Sequence, residues 1–284
     1  MLARPVARII AQCVVFTRRR YRLFVTVFCS NYRKSKFMTQ MLGENCVIPY
    51  HTSPLPEGPW LIFAPHADDE TFGMGGSLLI ARNQGIETHV VIVTDGALGG
   101  DGDRQALINE RAEEARRACK ALGVKQLYFM EEPDRALVVT QQTIAKAKAL
   151  ITDTKAASIF FPTALEYHPD HRSTAELVWT ARNELTGFEG QMYSYEITTQ
   201  APINLLIDIS EVALEKYSVV DLYATQVTQS KYLALTQALD TARTFTLPLD
   251  RTAAEGFFHY VDTTVSLEEQ LLGSVARYFQ KVSD

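Results

Sequence analysis

From residue 59 onward the sequence alternates short, uninterrupted apolar runs with longer amphipathic ones, and few architectures accept that alternation. A short all-apolar run fits a strand buried on both faces, and parallel strands buried in this way need helical crossovers between them. Residues 60–64, 89–94, 127–129 and 157–161 read as such strands, and 192–197 as a further strand. Residues 70–83, 104–122, 141–152 and 169–185 read as the helices that connect or follow them. In the second helix Leu107, Ala115, Ala118 and Leu122 mark one apolar face, and Gly123 suits its C-terminal stop. Gly73, Gly75 and Gly76 let the first helix pack close to the sheet. The pattern then loosens into a strand at 204–209, a helix at 212–229 and a last strand at 257–261. The expected fold is α/β: a single Rossmann-like doubly wound domain, its sheet mostly parallel with helices on both faces.

Charge divides the chain in two. Residues 1–43 hold nine Lys or Arg and no acid, whereas residues 44–284 hold 19 bases against 33 acids. So acidic a body excludes nucleic acid as a partner bound by charge. The division sets a basic amphipathic N-terminal arm at 1–43 before a domain at 44–284. The uncharged stretches of the arm, 9–17 and 23–32, are about half the length of a spanning helix. Arg8, Gln12 and the run Arg18-Arg19-Arg20 spoil the pattern of a secretory signal. The arm reads as a peripheral contact to an anionic membrane surface, as an Arg-rich targeting segment, or as two amphipathic elements packed on the domain. Cys13, Cys29, Cys46 and Cys119 form no C-x-x-C pair and read as reduced thiols of a cytoplasmic protein.

Two polar clusters follow closely on buried strands. Pro65-His66-Ala67-Asp68-Asp69-Glu70 comes directly after the first strand, and Glu166-Tyr167-His168-Pro169-Asp170-His171 shortly after the fourth. In a doubly wound sheet these strands are neighbours where the winding reverses, and ligands collect there. The clusters therefore converge on one crevice although about a hundred residues separate them. Imidazole plus carboxylate suits Zn²⁺, with Fe²⁺ also possible. Spacing of three residues at a helix entrance brings both ends of H-x-x-D or H-x-x-H to one point. Pro169 suits a first helical position, and both helix N-termini favour negative charge at the crevice. Spacing alone leaves open whether Asp68 or Asp69 is a ligand.

The same residues carry a resemblance. Ala64 to Glu70 with Gly73, Gly75 and Gly76 resembles the opening motif of LmbE/PIG-L-like zinc-dependent N-deacetylases. The likeness continues in Thr94-Asp95-Gly96, Arg111, Glu114, His168 to His171, Lys216, Tyr223, Gln226 and Glu255-Gly256-Phe257, over roughly residues 57–260. It implies that His66, Asp69 and His171 hold the metal, that Asp68 is the general base, and that a protonated His168 faces the reacting carbonyl. It also implies hydrolysis of the N-acetyl group of a GlcNAc-containing small molecule, lipid-linked sugar or other glycoconjugate. An amidase acting on another N-acyl or thiol-glycoside conjugate is the alternative within the family. Two departures stand out: Ala67 replaces a proline, and Glu166 occupies a position where a Tyr is frequent, so Tyr167 takes no Tyr role.

Asp95 and Arg111 are candidate substrate-binding residues, although Arg111 also fits a surface pair with Glu114. His89 and His259 read as structural strand histidines. The segment 96–102 lacks the ligand spacing of a calcium loop and reads as a mobile loop at the active site. A dinucleotide-binding enzyme is disfavoured because Gly73-Met74-Gly75-Gly76 is not G-x-G-x-x-G and follows the acidic cluster.

Overall fold

Five apolar residues, Trp60–Ala64, form β1 near the middle of a seven-stranded sheet, all fully buried. The structure is a computed structural model and describes residues 41–281. After β1 come α1 (Asp69–Asn83), β2 (Thr88–Thr94), α2 (Arg104–Leu122), β3 (Gln126–Glu132), α3 (Gln141–Thr154), β4 (Ser158–Pro162) and α4 (Pro169–Asn183). Then follow β5 (Gln191–Tyr195), β6 (Leu205–Asp208), α5 (Ala213–Val220), α6 (Ala224–Val227), α7 (Tyr232–Ala242), β7 (Ala254–Tyr260) and α8 (Leu267–Ala276).

The strands are ordered β3-β2-β1-β4-β5-β7-β6. The first five in that order run parallel, and β7 and β6 add an antiparallel edge. Trp60 sits level with both Thr88 of β2 and Ser158 of β4. The chain winds outward from β1 to β3 and returns to β4 on the opposite side, so the winding reverses between β1 and β4. Alternate residues serve the two faces, as strand geometry requires. Trp60, Ile62 and Ala64 join α1, α2 and α5 in one core layer, while Leu61 and Phe63 join α3 and α4 in the other.

Helix α1 is broken at Met74, whose φ of −147° and ψ of 22° are not helical. Its first turn is thereby free to follow a direction of its own. The break strands the amides of Gly76 and Ser77, which donate to the Glu255 carboxylate on β7 at 2.8 Å each. Glu255 thus caps the second part of the helix, where negative charge is favoured. The charge is balanced by Lys216, whose Nζ lies 2.8 Å from Glu255 and donates to both oxygens of Asp240 at 2.9 and 2.8 Å. Close packing of α1 also depends on glycine. A Cβ on Gly73 would stand 2.4 Å from the Glu196 carbonyl, and one on Gly76 2.7 Å from Ile209.

The doubly wound α/β reading is borne out, and some element bounds differ. The helix expected at 212–229 is two helices, α5 and α6, parted at Tyr223, where φ is −87° and ψ is 59°. The last strand begins earlier, at Ala254, and α7 and α8 lie in stretches to which the sequence reading assigned no element. Gly43–Phe279 form one unit; in the other, made of Met1–Leu42 and Gln280–Asp284, Met41 and Lys281 pair as an isolated antiparallel bridge. Residues 1–40 of the basic arm lie outside the described residues. Among the described residues no helix is long and apolar enough to cross a membrane.

Lys216 is fully buried between two carboxylates. Replacing it in Lys216→Met leaves both carboxylates without their cation and is expected to cost about 3–5 kcal/mol of stability. Urea unfolding measures this; an unchanged midpoint would show that the cluster is not balanced by Lys216.

Candidate active site

The turn that leaves β1 is built around an unusual backbone. Asp68 has φ 141° and ψ −31°, a region that a residue with a Cβ enters only at an energetic cost. The amides of Thr71 and Phe72 donate to its carbonyl at 3.0 and 2.9 Å, starting α1. At the matching end of β4, Pro169 opens α4, and the amide of Asp170 donates to Nδ1 of His168 at 3.2 Å. The proton of a neutral His168 therefore resides on Nε2.

The two turns meet. Oδ2 of Asp69 lies 3.1 Å from His66 Nδ1 and 3.3 Å from His171 Nε2, and it also accepts the His66 amide at 2.9 Å. The other ring nitrogen of His66, Nε2, lies 3.3 Å from Asp170 and 3.5 Å from Asp134. His168 packs edge-on to His66, with ring centroids 4.6 Å apart. His66, Asp68, Asp69, His168 and His171 line one cleft of about 140 Å³ together with Phe72, Arg111, Asp134, Gln226 and Tyr232.

Burial sets the ionisation, and neighbours redirect it. Burial alone would push the Asp69 carboxyl up, but His171 and His66 outweigh it and hold the group well below the usual carboxylate range. Burial opposes charge on His66, yet Asp134, Asp170 and Asp69 raise it well above the ordinary imidazole value. His171 is raised to about 9 in the same way, by Asp69 and Glu166 against burial. Burial, reinforced by the charge of Asp69, pushes Asp68 up against the pull of Arg111. Burial and the two other imidazoles push His168 down to about 4, so it stands neutral at pH 7 and not protonated as expected.

Arg111 is buried and does not pair with Glu114. Its guanidinium donates to the carbonyls of Gly96 and Ala67, both at 3.2 Å, and to Asp68 at 3.4 Å. Glu114 instead accepts the amide and hydroxyl of Thr225. Asp95 is half-buried; its Oδ1 accepts the amides of Ala97 and Asp134 at 3.0 and 3.2 Å. It lines a neighbouring pocket of about 470 Å³, which shares Arg111 with the cleft. The loop expected to be mobile is pinned from three sides, by Arg111 at Gly96, by Asp134 at Leu98 and by Gln226 at Gly99. His89 and His259 are strand residues hydrogen-bonded to Glu87 and Gln191, in keeping with structural roles.

Three acids at the site carried weaker signals. Asp134 follows the end of β3, another strand that points at the crevice, but no histidine stands beside it in sequence. Asp170 lies inside the second cluster; its Oδ2 accepts the Arg135 amide at 2.6 Å while facing His66. Glu166 is the departure whose purpose the sequence did not reveal. It is buried and accepts the amides of Ile197, Thr198 and Thr199 at 2.9, 2.9 and 3.2 Å, with His171 Nδ1 3.7 Å away. Tyr167 is 77% exposed, which agrees with giving it no Tyr role.

The residues suit a divalent ion. His66, His168 and His171 each offer a ligand nitrogen within 4.8 Å of the others, and Asp69 supplies a carboxylate between two of them. Buried His171 Nδ1 has no hydrogen-bond partner, and the Glu166 carboxylate lies 3.7 Å away on that side of the ring, where an acceptor would orient a metal-binding imidazole. A Rossmann-like α/β domain with a His/Asp metal-type cluster at its switch point is the class that fold and site define. Residues 61–182, narrower than the span read from the sequence, match the family described as PIG-L: GlcNAc-PI de-N-acetylase, and this stretch is a domain of the PIG-L (LmbE-like) family.

A diacetylchitobiose deacetylase of Thermococcus kodakarensis is 30% identical over 118 residues, 39% of this chain and 44% of that one. The chain spans about half the length of the curated relatives it matches. Among solved structures, the N,N'-diacetylchitobiose deacetylase from Pyrococcus horikoshii superposes with a TM-score of 0.64 at 22% identity, covering 71% of this chain and 83% of that one. GalB, the 4-carboxy-2-hydroxymuconate hydratase from Pseudomonas putida, also reaches 0.64, at 18% identity, covering 75% of this chain and 99% of that one. At these identities the structural likeness shows the fold alone.

Glu166→Ala is expected to strip the acceptor from three backbone amides and to cost about 3 kcal/mol, each buried unpaired donor costing about 1–3. Tyr167→Ala should change stability by about 0.5 kcal/mol or less. Equal losses in chemical unfolding would contradict the division of roles between these neighbours.

Proposed function

We propose that the chain is a zinc-dependent N-deacetylase that hydrolyses the N-acetyl group of a GlcNAc-containing small molecule or glycoconjugate to acetate and a glucosamine. The observation that carries this reading is the meeting of His66, Asp69 and His171 at one carboxylate oxygen, beside an Asp68 that no imidazole hydrogen-bonds. His66, Asp69 and His171 hold the ion; Zn²⁺ suits the set, and Fe²⁺ suits it as well. When bound, the ion polarises the amide carbonyl and makes water more acidic.

The rest of the chemistry falls to the chain. Asp68 takes a proton from water as the water attacks the carbonyl carbon. His168 donates its Nε2 proton in a hydrogen bond to the oxygen on which charge develops, an interaction that strengthens in the transition state. Asp68 then passes the proton to the departing nitrogen, which leaves as an amine. A carboxylate engaged by a metal is a poor base, so the roles of Asp68 and Asp69 must differ. Arg111, between Asp68 and the Gly96 carbonyl, keeps the base in place and lines the wall on which the sugar rests. Asp95 acts from the neighbouring pocket, toward the remainder of the substrate.

Deacetylation is favoured over a hydratase reading because the names of the family and of the sequence relative both describe removal of an acetyl group. The nine cations of residues 1–43 support peripheral contact with an anionic membrane that presents a lipid-linked substrate.

A free-amine assay with N-acetylglucosamine conjugates tests the reaction. Asp68→Asn is expected to lower kcat by about 10³-fold or more while the metal content stays near one per chain, as loss of a general base and proton carrier requires. His66→Ala and His171→Ala should lose both metal and turnover. A near-normal rate for Asp68→Asn would contradict the assignment, and amine release from longer N-acyl substrates alone would move it to the amidase alternative. Co-sedimentation of the full chain with vesicles rich in phosphatidylserine at low salt, abolished at high salt, is expected of the arm; no binding at low salt would remove the membrane contact.

A further inference from the structure

Glu70 ends the first polar cluster, and the mechanism above leaves it without a task. It is fully buried, and among the described residues no basic side chain forms an ion pair with it. Each oxygen is nonetheless committed. Oε1 accepts the Thr71 hydroxyl at 2.7 Å and the phenol of Tyr223. Oε2 accepts the backbone amide of Asp68 at 3.3 Å. That amide belongs to the residue whose φ is 141°. A conformation of this kind persists only where the surroundings over-determine it. A buried carboxylate without a cation is costly in its own right, so the fold retains two unfavourable features that meet in one hydrogen bond.

Tyr223 is placed for the purpose. It is fully buried at the break between α5 and α6, packs edge-on against Phe72 with centroids 6.0 Å apart, and has Thr71 Oγ1 3.4 Å from its hydroxyl. A rigid phenol thus fixes one oxygen of Glu70, which leaves the other aimed at the Asp68 amide. We propose that Glu70 and Tyr223 are positioning residues that lock the strained backbone of Asp68 and so aim its carboxylate into the cleft. This rests on the reading of Asp68 as the proton carrier.

Tyr223→Phe removes one hydroxyl and keeps the packing of the ring. It is expected to lower kcat by about 10²-fold, the scale of a small misplacement of a reacting group, with KM and metal per chain unchanged. Amide exchange gives a readout that does not depend on activity: the Asp68 amide should exchange at least about tenfold faster in Tyr223→Phe, while amides of β1 and β4 keep their rates. Glu70→Gln, which retains an oxygen for the Asp68 amide, should keep kcat within about tenfold of the parent, whereas Glu70→Ala should fall with Tyr223→Phe. The proposal is overturned if Tyr223→Phe lowers the melting temperature and metal content but leaves kcat per metal-loaded molecule and Asp68 exchange intact. It is equally overturned if Glu70→Gln is as impaired as Glu70→Ala. Should Asp68→Asn itself turn over normally, the assignment of Asp68 fails, and the exchange result still reports whether its backbone is held.

Discussion

Asp69 lies buried between two imidazoles, and the rest of the site is arranged around that contact. Buried charges are costly unless they are paired or hydrogen-bonded. His66 therefore has carboxylates at both ring nitrogens, Asp69 on one and Asp134 with Asp170 on the other. His171 has Asp69 on one side and Glu166 beyond its other nitrogen. Each acid in turn is held by backbone amides: Asp170 by Arg135, Asp134 by Leu98, Glu166 by the strand exit at Ile197. The cluster is thus tied to the ends of several parallel strands, and this gives it stiffness.

The scaffold provides for the cluster at a distance. The break at Met74 separates the turn that carries Asp68 and Asp69 from the part of α1 that packs on the sheet. Glu255 makes the break tolerable by taking up the freed amides, and Lys216 makes Glu255 tolerable. Arg111 performs a comparable service on the other side, where it ties the 96–99 loop to the turn after β1. Sequence positions as far apart as 70, 111, 223 and 255 therefore act on one short turn.

Much of this was legible in the sequence, for physical reasons that differ from residue to residue. The strands β1, β2 and β4 are buried on both faces, so their apolar runs were unambiguous, and the histidine clusters behind β1 and β4 identified the crevice. Burial of Arg111 was not legible, because an arginine three residues before a glutamate is equally at home on a surface; only the tertiary contact with Gly96 and Asp68 decides. Asp134 and Glu166 were missed or left without a role because each acts through one carboxylate among backbone amides, which leaves no spacing to read. The helix at 212–229 was read as continuous since nothing in the apolar pattern marks the break at Tyr223. The downward push on His168 likewise comes from burial and from its neighbours in space, His66 and His171, and not from its neighbours in sequence.

The central claim is that His66, Asp69 and His171 grip one divalent ion and leave Asp68 free. Anomalous diffraction from crystals of the zinc-loaded protein tests it most directly. The account predicts a single strong peak coordinated by those three side chains, with the Asp68 carboxylate outside the coordination shell. A peak held instead by Asp134 and Asp170, or one that takes Asp68 as a ligand, would contradict it.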